Sequence, residues 1–150
     1  MKPPYAQVET LIRATARDIY RAFTEPAILK QFWLAESEAT LEPGKKVRWT
    51  FMVPGASDEV IVRRMEQDHS LVLQWSDGAQ TEFTIDSFQD GYCKLKIVQN
   101  GFVGDDAWDV AIETTQGFTY VVSELKVLLE TGRPAGIVRD KAKLIAAQMI

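Results

Sequence analysis

The sequence predicts an α+β fold in which a seven-stranded, curved antiparallel sheet wraps around a long C-terminal helix. The last third of the chain has helical periodicity from Asp105 to about Thr131, which corresponds to a helix roughly 37 Å long. The preceding segments are strand-like and joined by short turns, which indicates antiparallel neighbours. A sheet with one apolar face needs a cover, and only this helix is long enough. Because a twisted sheet diverges from a straight helix at one end, we expect a cavity between them.

The chain is expected to begin with a strand followed by a bent pair of short helices. Residues 8–14 alternate as a short strand, and Thr15 or Ala16 then begins a helix. Pro26 begins the second helix, because proline is tolerated in a first turn but not in a helix interior. The apolar sides of the two helices consist of Ile19, Tyr20, Phe23, Ile28, Leu29, Phe32 and Trp33.

A meander of six strands is expected from residue 36, where the apolar period changes to two. Asp77-Gly78 and Asp90-Gly91 are typical of tight hairpin turns. Each strand should therefore pair with the next one along the chain. The strand segments are 36–43, 45–53, 59–67, 71–76, 81–88 and 92–99.

The long helix carries its apolar residues on one stripe, and the segment that follows it is only weakly amphipathic. Gly132 and Pro134 end it, since proline cannot continue a helix. We therefore predict a domain over residues 1–132 and an extension over 133–150 with a short, weakly amphipathic helix. The sequence leaves open whether this helix docks on the domain, pairs with another subunit or is mobile. The stripe consists of Trp108, Ala111, Thr115, Phe118, Val122, Leu125 and Leu129.

Composition excludes several classes of protein. The net charge is −4 and the basic residues are scattered, which argues against binding to nucleic acid. No apolar run reaches the ~18–20 residues that a membrane span requires. The N-terminus lacks the apolar core of a secretory signal, and a single cysteine, Cys93, cannot form an intramolecular disulfide. A cytoplasmic, single-domain protein is expected.

Several segments together resemble a known superfamily. They are IRATARDIYRAFTEPAILKQFW, PGKKVRW, MEQDHSLVLQW and QGFTYVVSELKVLLETG, which span roughly residues 8–132. The pattern is similar to the helix-grip, START-like superfamily (SRPBCC, birch-pollen-allergen-like). More narrowly, it resembles the branch related to the activator of the heat-shock-protein-90 ATPase. The resemblance implies an internal cavity for small hydrophobic or amphipathic molecules, and it implies no fixed chemistry.

Aromatic and aliphatic residues on the sheet and the long helix are the candidate ligand-binding residues. Trp108 and Phe118 lie on the stripe expected to face the sheet, and Phe102, between Gly101 and Gly104, is a candidate gate. The alternative for each is plain core packing, since aromatic side chains fill cores. The full candidate set is Trp33, Trp49, Phe51, Arg64, Trp75, Phe83, Ile85, Phe102, Trp108, Phe118 and Val122.

Arg64 enters that set because of its neighbour. Arg63 and Arg64 are adjacent in one strand, so side-chain alternation predicts that one of them faces inward, without saying which. An inward arginine would need a carboxylate partner or an anionic ligand group. The alternative is an arginine that reaches solvent at the sheet edge.

The remaining polar residues favour structural roles. His69 lies in a predicted turn, and Cys93 alternates with apolar residues as a small core residue would. Asp105, Asp106 and Asp109 stand where the long helix begins, where acids favour capping over cation binding. No catalytic residue, metal site or cofactor is therefore expected.

These features support three functions. The first, which we favour, is a non-catalytic carrier or binding module for a small apolar or amphipathic molecule. The second is an enzyme of the cyclase or hydrolase type that uses Arg64, Tyr120 or an inward acid. The third is an ATPase-activator role with a chaperone partner. A homodimer is a further possibility that the sequence leaves open.

Overall fold

The computed structural model describes residues 2–149. The N-terminal strand β1 (Ala6–Ile12) precedes the short helices α1 (Ala16–Thr24) and α2 (Pro26–Phe32). The meander consists of β2 (Leu34–Ser37), β3 (Lys46–Phe51), β4 (Ser57–Glu66), β5 (Ser70–Gln74), β6 (Gln80–Ser87) and β7 (Cys93–Asn100). The long helix α3 (Ala107–Thr131) and a final helix α4 (Ile137–Gln148) complete the chain.

The strands form one antiparallel sheet in the order β1-β7-β6-β5-β4-β3-β2. The N-terminal strand pairs with β7 along its whole length, from Ala6 opposite Gln99 to Ile12 opposite Cys93. The sheet thus has seven strands, and α3 packs against it at β1. The predicted α+β helix-grip architecture is confirmed.

The two short helices fill the space between the sheet and α3. Thr15 caps α1, because its Oγ1 accepts a hydrogen bond from the backbone N–H of Asp18 at 3.1 Å. Pro26 occupies the first turn of α2, as predicted. The ring of Phe23 on α1 lies 4.8 Å from that of Phe83 on β6, centroid to centroid. The short helices therefore close one end of the interior with a packed aromatic core.

A break in register corrects the prediction for the adjacent arginines of β4. Val62 pairs with Leu73, but the next pair joins Arg64 to Val72, so a bulge interrupts the ladder. The side chains of both arginines are consequently exposed. Arg63 donates a hydrogen bond to the side chain of Gln74 at 2.9 Å. Arg64 binds Glu82 at 2.8 Å and Glu66 at 3.3 Å. The expectation that one of them faces inward was wrong, because the bulge cancels the strict alternation that it assumed.

The C-terminal extension docks on α3 through a buried carboxylate. Gly132 ends α3 in the left-handed conformation, with its N–H bonded to the carbonyl of Leu128. Glu124, only 1% exposed, then accepts hydrogen bonds from the backbone N–H groups of the segment that leads into α4. Its donors are Ala135 at 2.6 Å, Gly136 at 3.2 Å and Val138 at 3.3 Å. Of the three alternatives for this helix, docking on the same chain is the one observed.

The acids before α3 do not cap it in the predicted way. Asp106 is the N-cap residue, but its side chain makes no hydrogen bond to the first turn. Asp109 lies within that turn, where a negative charge complements the helix dipole. Asp109 therefore stabilises α3 through its charge and not through a capping hydrogen bond. Within residues 2–149, no cluster of acids, histidines and cysteines could hold a metal ion, and no helix has the length and apolarity to cross a membrane.

Candidate functional site

A cavity of about 400 Å³ lies between α3, α4 and the end of the sheet near the β3–β4 loop. Its lining is mainly apolar, and α4 forms one of its walls. The sheet, α2 and loop side consists of Trp33, Phe51, Met52, Val53, Ala56, Trp75 and Gln99. The helix side consists of Thr114, Gly117, Phe118, Tyr120 and Val121 from α3 and Val138, Lys141, Ala142 and Ile145 from α4.

Interlocked aromatic rings make the inner wall of the cavity. The indole of Trp33, at the end of α2, lies 5.9 Å from the ring of Phe118 on α3 and 6.5 Å from that of Phe51 on β3. Trp49 lies behind this wall, 5.1 Å from Trp33 and 5.8 Å from Trp75. Edge-to-face and tilted pairs of this kind fix ring positions. The wall is therefore held in place without a ligand.

Gly117 lines the helix side of the cavity at a solvent-exposed position. It lies in the middle of α3, where glycine costs about 1 kcal/mol relative to alanine. A Cβ atom added there would meet no atom within 4 Å, so close packing does not require the glycine. The space in front of Gly117 belongs to the cavity. Its absent side chain therefore contributes cavity volume at a cost in helix stability.

A chain of hydrogen bonds leads from the buried sheet to the cavity at Gln99. The indole N–H of Trp75 donates to the hydroxyl of Thr81 at 2.7 Å. The same hydroxyl lies 2.7 Å from Oε1 of Gln99 on the neighbouring strand. Thr81 is completely buried, so these two side chains are its hydroxyl's partners. The chain holds the Gln99 carboxamide in one orientation at the cavity surface.

Lys141 supplies the charge of the cavity lining. Its Nζ lies 6.0 Å from the centroid of the Tyr120 ring, within cation–π range, and its side chain is half-buried. Aspartate and glutamate do not occur among the lining residues. The cavity thus combines an apolar wall with an amide, an aliphatic hydroxyl, a phenol and one ammonium group.

A second cleft, about 730 Å³ in volume, lies beside α1 and has a more polar lining. Arg17, Arg21 and Asp68 border it, and Arg21 is paired with Glu25 at 2.6 Å. The Tyr20 hydroxyl there is buried without a hydrogen-bond partner. Burial raises the pKa of Tyr20, and the nearby negative charges raise it further. Its charged walls make this cleft less suited to a small apolar molecule.

The predicted ligand-binding residues divide into three groups. Trp33, Phe51, Trp75 and Phe118 line the cavity. Trp49, Phe83, Ile85 and Val122 are buried in the core and do not line the cavity. Arg64, Phe102 and Trp108 lie outside both the cavity and the core cluster.

Trp108 and Arg64 lie outside for identifiable reasons. The first turns of α3 face the sheet with Ala107 and Ala111, which are buried. Trp108 is one residue past Ala107 and hence rotated by about 100° around the helix. Its side chain is 47% exposed and contacts Tyr5, with ring centroids 6.5 Å apart. Arg64 is turned outward by the bulge in β4.

The other polar residues singled out in the sequence lie away from the cavity. The side chain of His69 is half-exposed, with Nδ1 3.1 Å from the carbonyl of Ile85 and 3.6 Å from Asp86. Cys93 is buried, and burial raises the pKa of its thiol. Sequence reasoning did not place Gln99, Gly117 and Lys141 at the site. Gly117 carried a signal, as the only glycine within the predicted long helix.

Solved structures show the same fold at low sequence identity. Protein SSP2350 from Staphylococcus saprophyticus superposes with a TM-score of 0.76 at 19% identity, covering 87% of this chain and 94% of that one. The Aha1 dimer from Colwellia psychrerythraea gives 0.77 at 16%, covering 85% and 97%. DynU16, from the dynemicin biosynthetic locus, gives 0.76 at 21%, covering 89% of this chain and 49% of that one. A comparison with curated proteins finds no match.

The family match covers most of the chain. The model for Activator of Hsp90 ATPase homolog 1-like protein matches residues 13–130. That range runs from the residue after β1 to the last turn of α3, so it takes in the aromatic wall and Gly117. It leaves out α4, which supplies the outer wall of the cavity. The chain belongs to the family of Activator of Hsp90 ATPase homolog 1-like proteins.

Proposed function

We propose that the chain is a binding or carrier module that holds a small apolar or amphipathic molecule between α3, α4 and the sheet. The observation that carries this proposal is an aromatic-walled cavity of about 400 Å³ whose lining includes a glycine in the middle of a helix. Sites for small molecules are typically apolar clefts of roughly 300–1,000 Å³ with a few polar groups. The fold likeness to DynU16, a protein of a biosynthetic locus, is consistent with such a ligand.

Filling the cavity at Gly117 tests this function. We expect Gly117→Leu to weaken binding of the neutral fluorescent probe N-phenyl-1-naphthylamine at least tenfold. We also expect it to raise the free energy of unfolding by about 0.5–1 kcal/mol, because leucine is a better helix former than glycine. Titrating the probe and unfolding both proteins in urea measure the two effects.

The opposite signs of those effects separate a filled site from a damaged fold. Gln116→Leu, which adds a leucine at an exposed neighbouring position of α3, is the matched control and should leave the affinity unchanged. Native mass spectrometry of freshly purified protein adds a direct search for a bound molecule. Equal probe affinity of the wild type and Gly117→Leu would contradict the proposal.

Self-association is a second function that one observation favours. Tyr5, Trp108 and Ile112 border an apolar groove at the N-terminal end of α3, where Ile112 is 64% exposed. Exposed apolar clusters of this kind often mark contact surfaces. A related fold from Colwellia psychrerythraea is described as a dimer. We infer that a second copy of the chain covers this groove.

Sedimentation velocity tests the dimer. We expect the wild type to sediment as a dimer and the double variant Trp108→Ser/Ile112→Ser to sediment as a monomer, because the apolar contact is removed. Leu144→Ser, at a position of α4 that is 51% exposed, is the control and should remain dimeric. A monomeric wild type would exclude this contact and leave a different protein, such as a chaperone, as the partner to test.

A further inference from the structure

We propose that the ligand of this cavity carries a carboxylate or another anionic oxygen group, which Gln99 and Lys141 hold while the apolar body lies against the aromatic wall. The inference rests on the proposed function and adds the chemical class of the ligand. Both residues line the same cavity as Trp33 and Phe118.

The hydrogen-bond chain from Trp75 determines what Gln99 offers to a ligand. An indole N–H can only donate, so the Thr81 hydroxyl must accept from Trp75. That hydroxyl has one hydrogen of its own, and its other partner is Oε1 of Gln99. If the Gln99 amide were reversed, the buried Thr81 hydrogen would have no acceptor, which is costly. The carboxamide oxygen is therefore the atom that accepts from Thr81, and both N–H groups of the NH2 remain to donate to a ligand acceptor.

Lys141 adds a positive charge to the same lining. Its three N–H groups can only donate, and it forms no ion pair with a carboxylate of residues 2–149. Lys143 is two residues further along α4, hence about 200° around the helix; it is more exposed, and its Nζ lies 3.9 Å from Asp140. A half-buried ammonium that faces an apolar cavity favours an anionic group on the ligand, since the pairing is partly protected from water.

An aromatic wall by itself could equally hold a cation, because ring faces attract ammonium groups. Two observations oppose that alternative. The charged group in the lining is Lys141, which would repel a cation, and the oxygen of the Gln99 amide already accepts from Thr81 while its NH2 group is available to donate. The cavity polarity therefore points to an acceptor-bearing, anionic molecule.

Three probes with the same aromatic body test the proposal: 1-naphthaleneacetate, 2-(1-naphthyl)ethanol and 2-(1-naphthyl)ethylamine. Isothermal titration with the full chain at low salt should show the acid binding about tenfold more tightly than the alcohol, because a charge-assisted hydrogen bond is stronger than a neutral one. The amine should bind most weakly. Lys141→Met keeps the apolar stem and should reduce the acid to the affinity of the alcohol, whereas Lys143→Met should change neither.

Gln99→Glu is the sharper variant because it is isosteric. A carboxylate oxygen can still accept from the Thr81 hydroxyl, so the buried chain survives, while the donor side becomes an anionic acceptor. We expect the acid to lose at least tenfold in affinity and the amine to gain. Circular dichroism melting of each variant checks that the fold is retained.

The outcomes distinguish the two proposals. Equal binding of the acid and the alcohol, or an acid affinity that Lys141→Met leaves unchanged, would overturn the anionic class while the binding function stands. Tighter binding of the amine by the wild type would overturn it as well. Binding of none of the three probes would count against the binding function itself, and this inference would fall with it.

Discussion

Replacing Phe23 with alanine is expected to lower the free energy of unfolding by about 3–5 kcal/mol, as large-to-small changes at packed aromatic sites do. Phe23 is 1% exposed and lies at the centre of the aromatic core. Its ring centroid is 4.8 Å from Phe83, 5.6 Å from Phe32 and 6.0 Å from Trp33. Removing it leaves a void between α1, α2 and the sheet that these rigid neighbours cannot fill.

Two further variants make this expectation measurable by urea unfolding. A loss of this size is a large part of the 5–15 kcal/mol that typically stabilises a domain, so Phe23→Ala is expected to unfold at a much lower urea concentration than the wild type. Phe23→Leu retains most of the volume and should cost no more than about 1.5 kcal/mol. Phe88→Ala, at a 50% exposed position, should change stability by less than about 0.5 kcal/mol. A similar cost for Phe23→Ala and Phe88→Ala would refute the packing argument.

The fold was predictable because each of its elements has a strong local signal. The change of period at residue 36 indicates the meander, although its first strand is Leu34–Ser37 and not 36–43, and Asp77-Gly78 and Asp90-Gly91 mark tight turns. Pro26 defines the start of α2 in both the sequence and the structure. Such signals depend on neighbours in sequence, which is why they survive without knowledge of tertiary contacts.

The site was only partly predictable, because its residues depend on long-range geometry. A bulge at Arg63–Arg64 is invisible to a period-two pattern, yet it turns both side chains outward. The predicted apolar stripe of α3 began at Trp108, whereas the buried face of the helix begins one residue earlier, at Ala107. The prediction therefore placed Trp108 inside, although its side chain is exposed. The donor role of Gln99 arises from a hydrogen bond to Thr81 across two strands. This contact joins residues 18 positions apart and cannot be predicted from the local sequence around Gln99.

The role of the C-terminal extension was also beyond the sequence, and it depends on Glu124. This residue lies off the apolar stripe of the long helix, so the sequence predicts that it is exposed to solvent. In the structure it is buried and bonds three backbone N–H groups ahead of and within the first turn of α4. The helix itself begins at Ile137, and its N-cap residue Gly136 provides no side-chain cap, so the carboxylate from α3 replaces one.

Replacing Glu124 with alanine is therefore expected to release α4 while leaving the rest of the fold intact. A hydrogen bond to a charged group contributes about 1.5–3 kcal/mol, and undocking lets water satisfy the freed N–H groups and so limits the loss. Native-state hydrogen exchange should show the amides of α4 losing about 10–100-fold in protection, as local opening of that free energy predicts. The central amides of α3 and β6 should keep theirs.

The same variant links the extension to the cavity. Because α4 supplies Lys141 and Ala142 to the lining, its release should also weaken binding of the naphthyl probes. Glu124→Gln retains one acceptor oxygen and should have an intermediate effect on both measurements. Glu113→Ala, at an exposed position of the same helix, should affect neither. Wild-type protection of α4 in Glu124→Ala would mean that apolar contacts at Ala142, and not the carboxylate, hold the outer wall of the cavity in place.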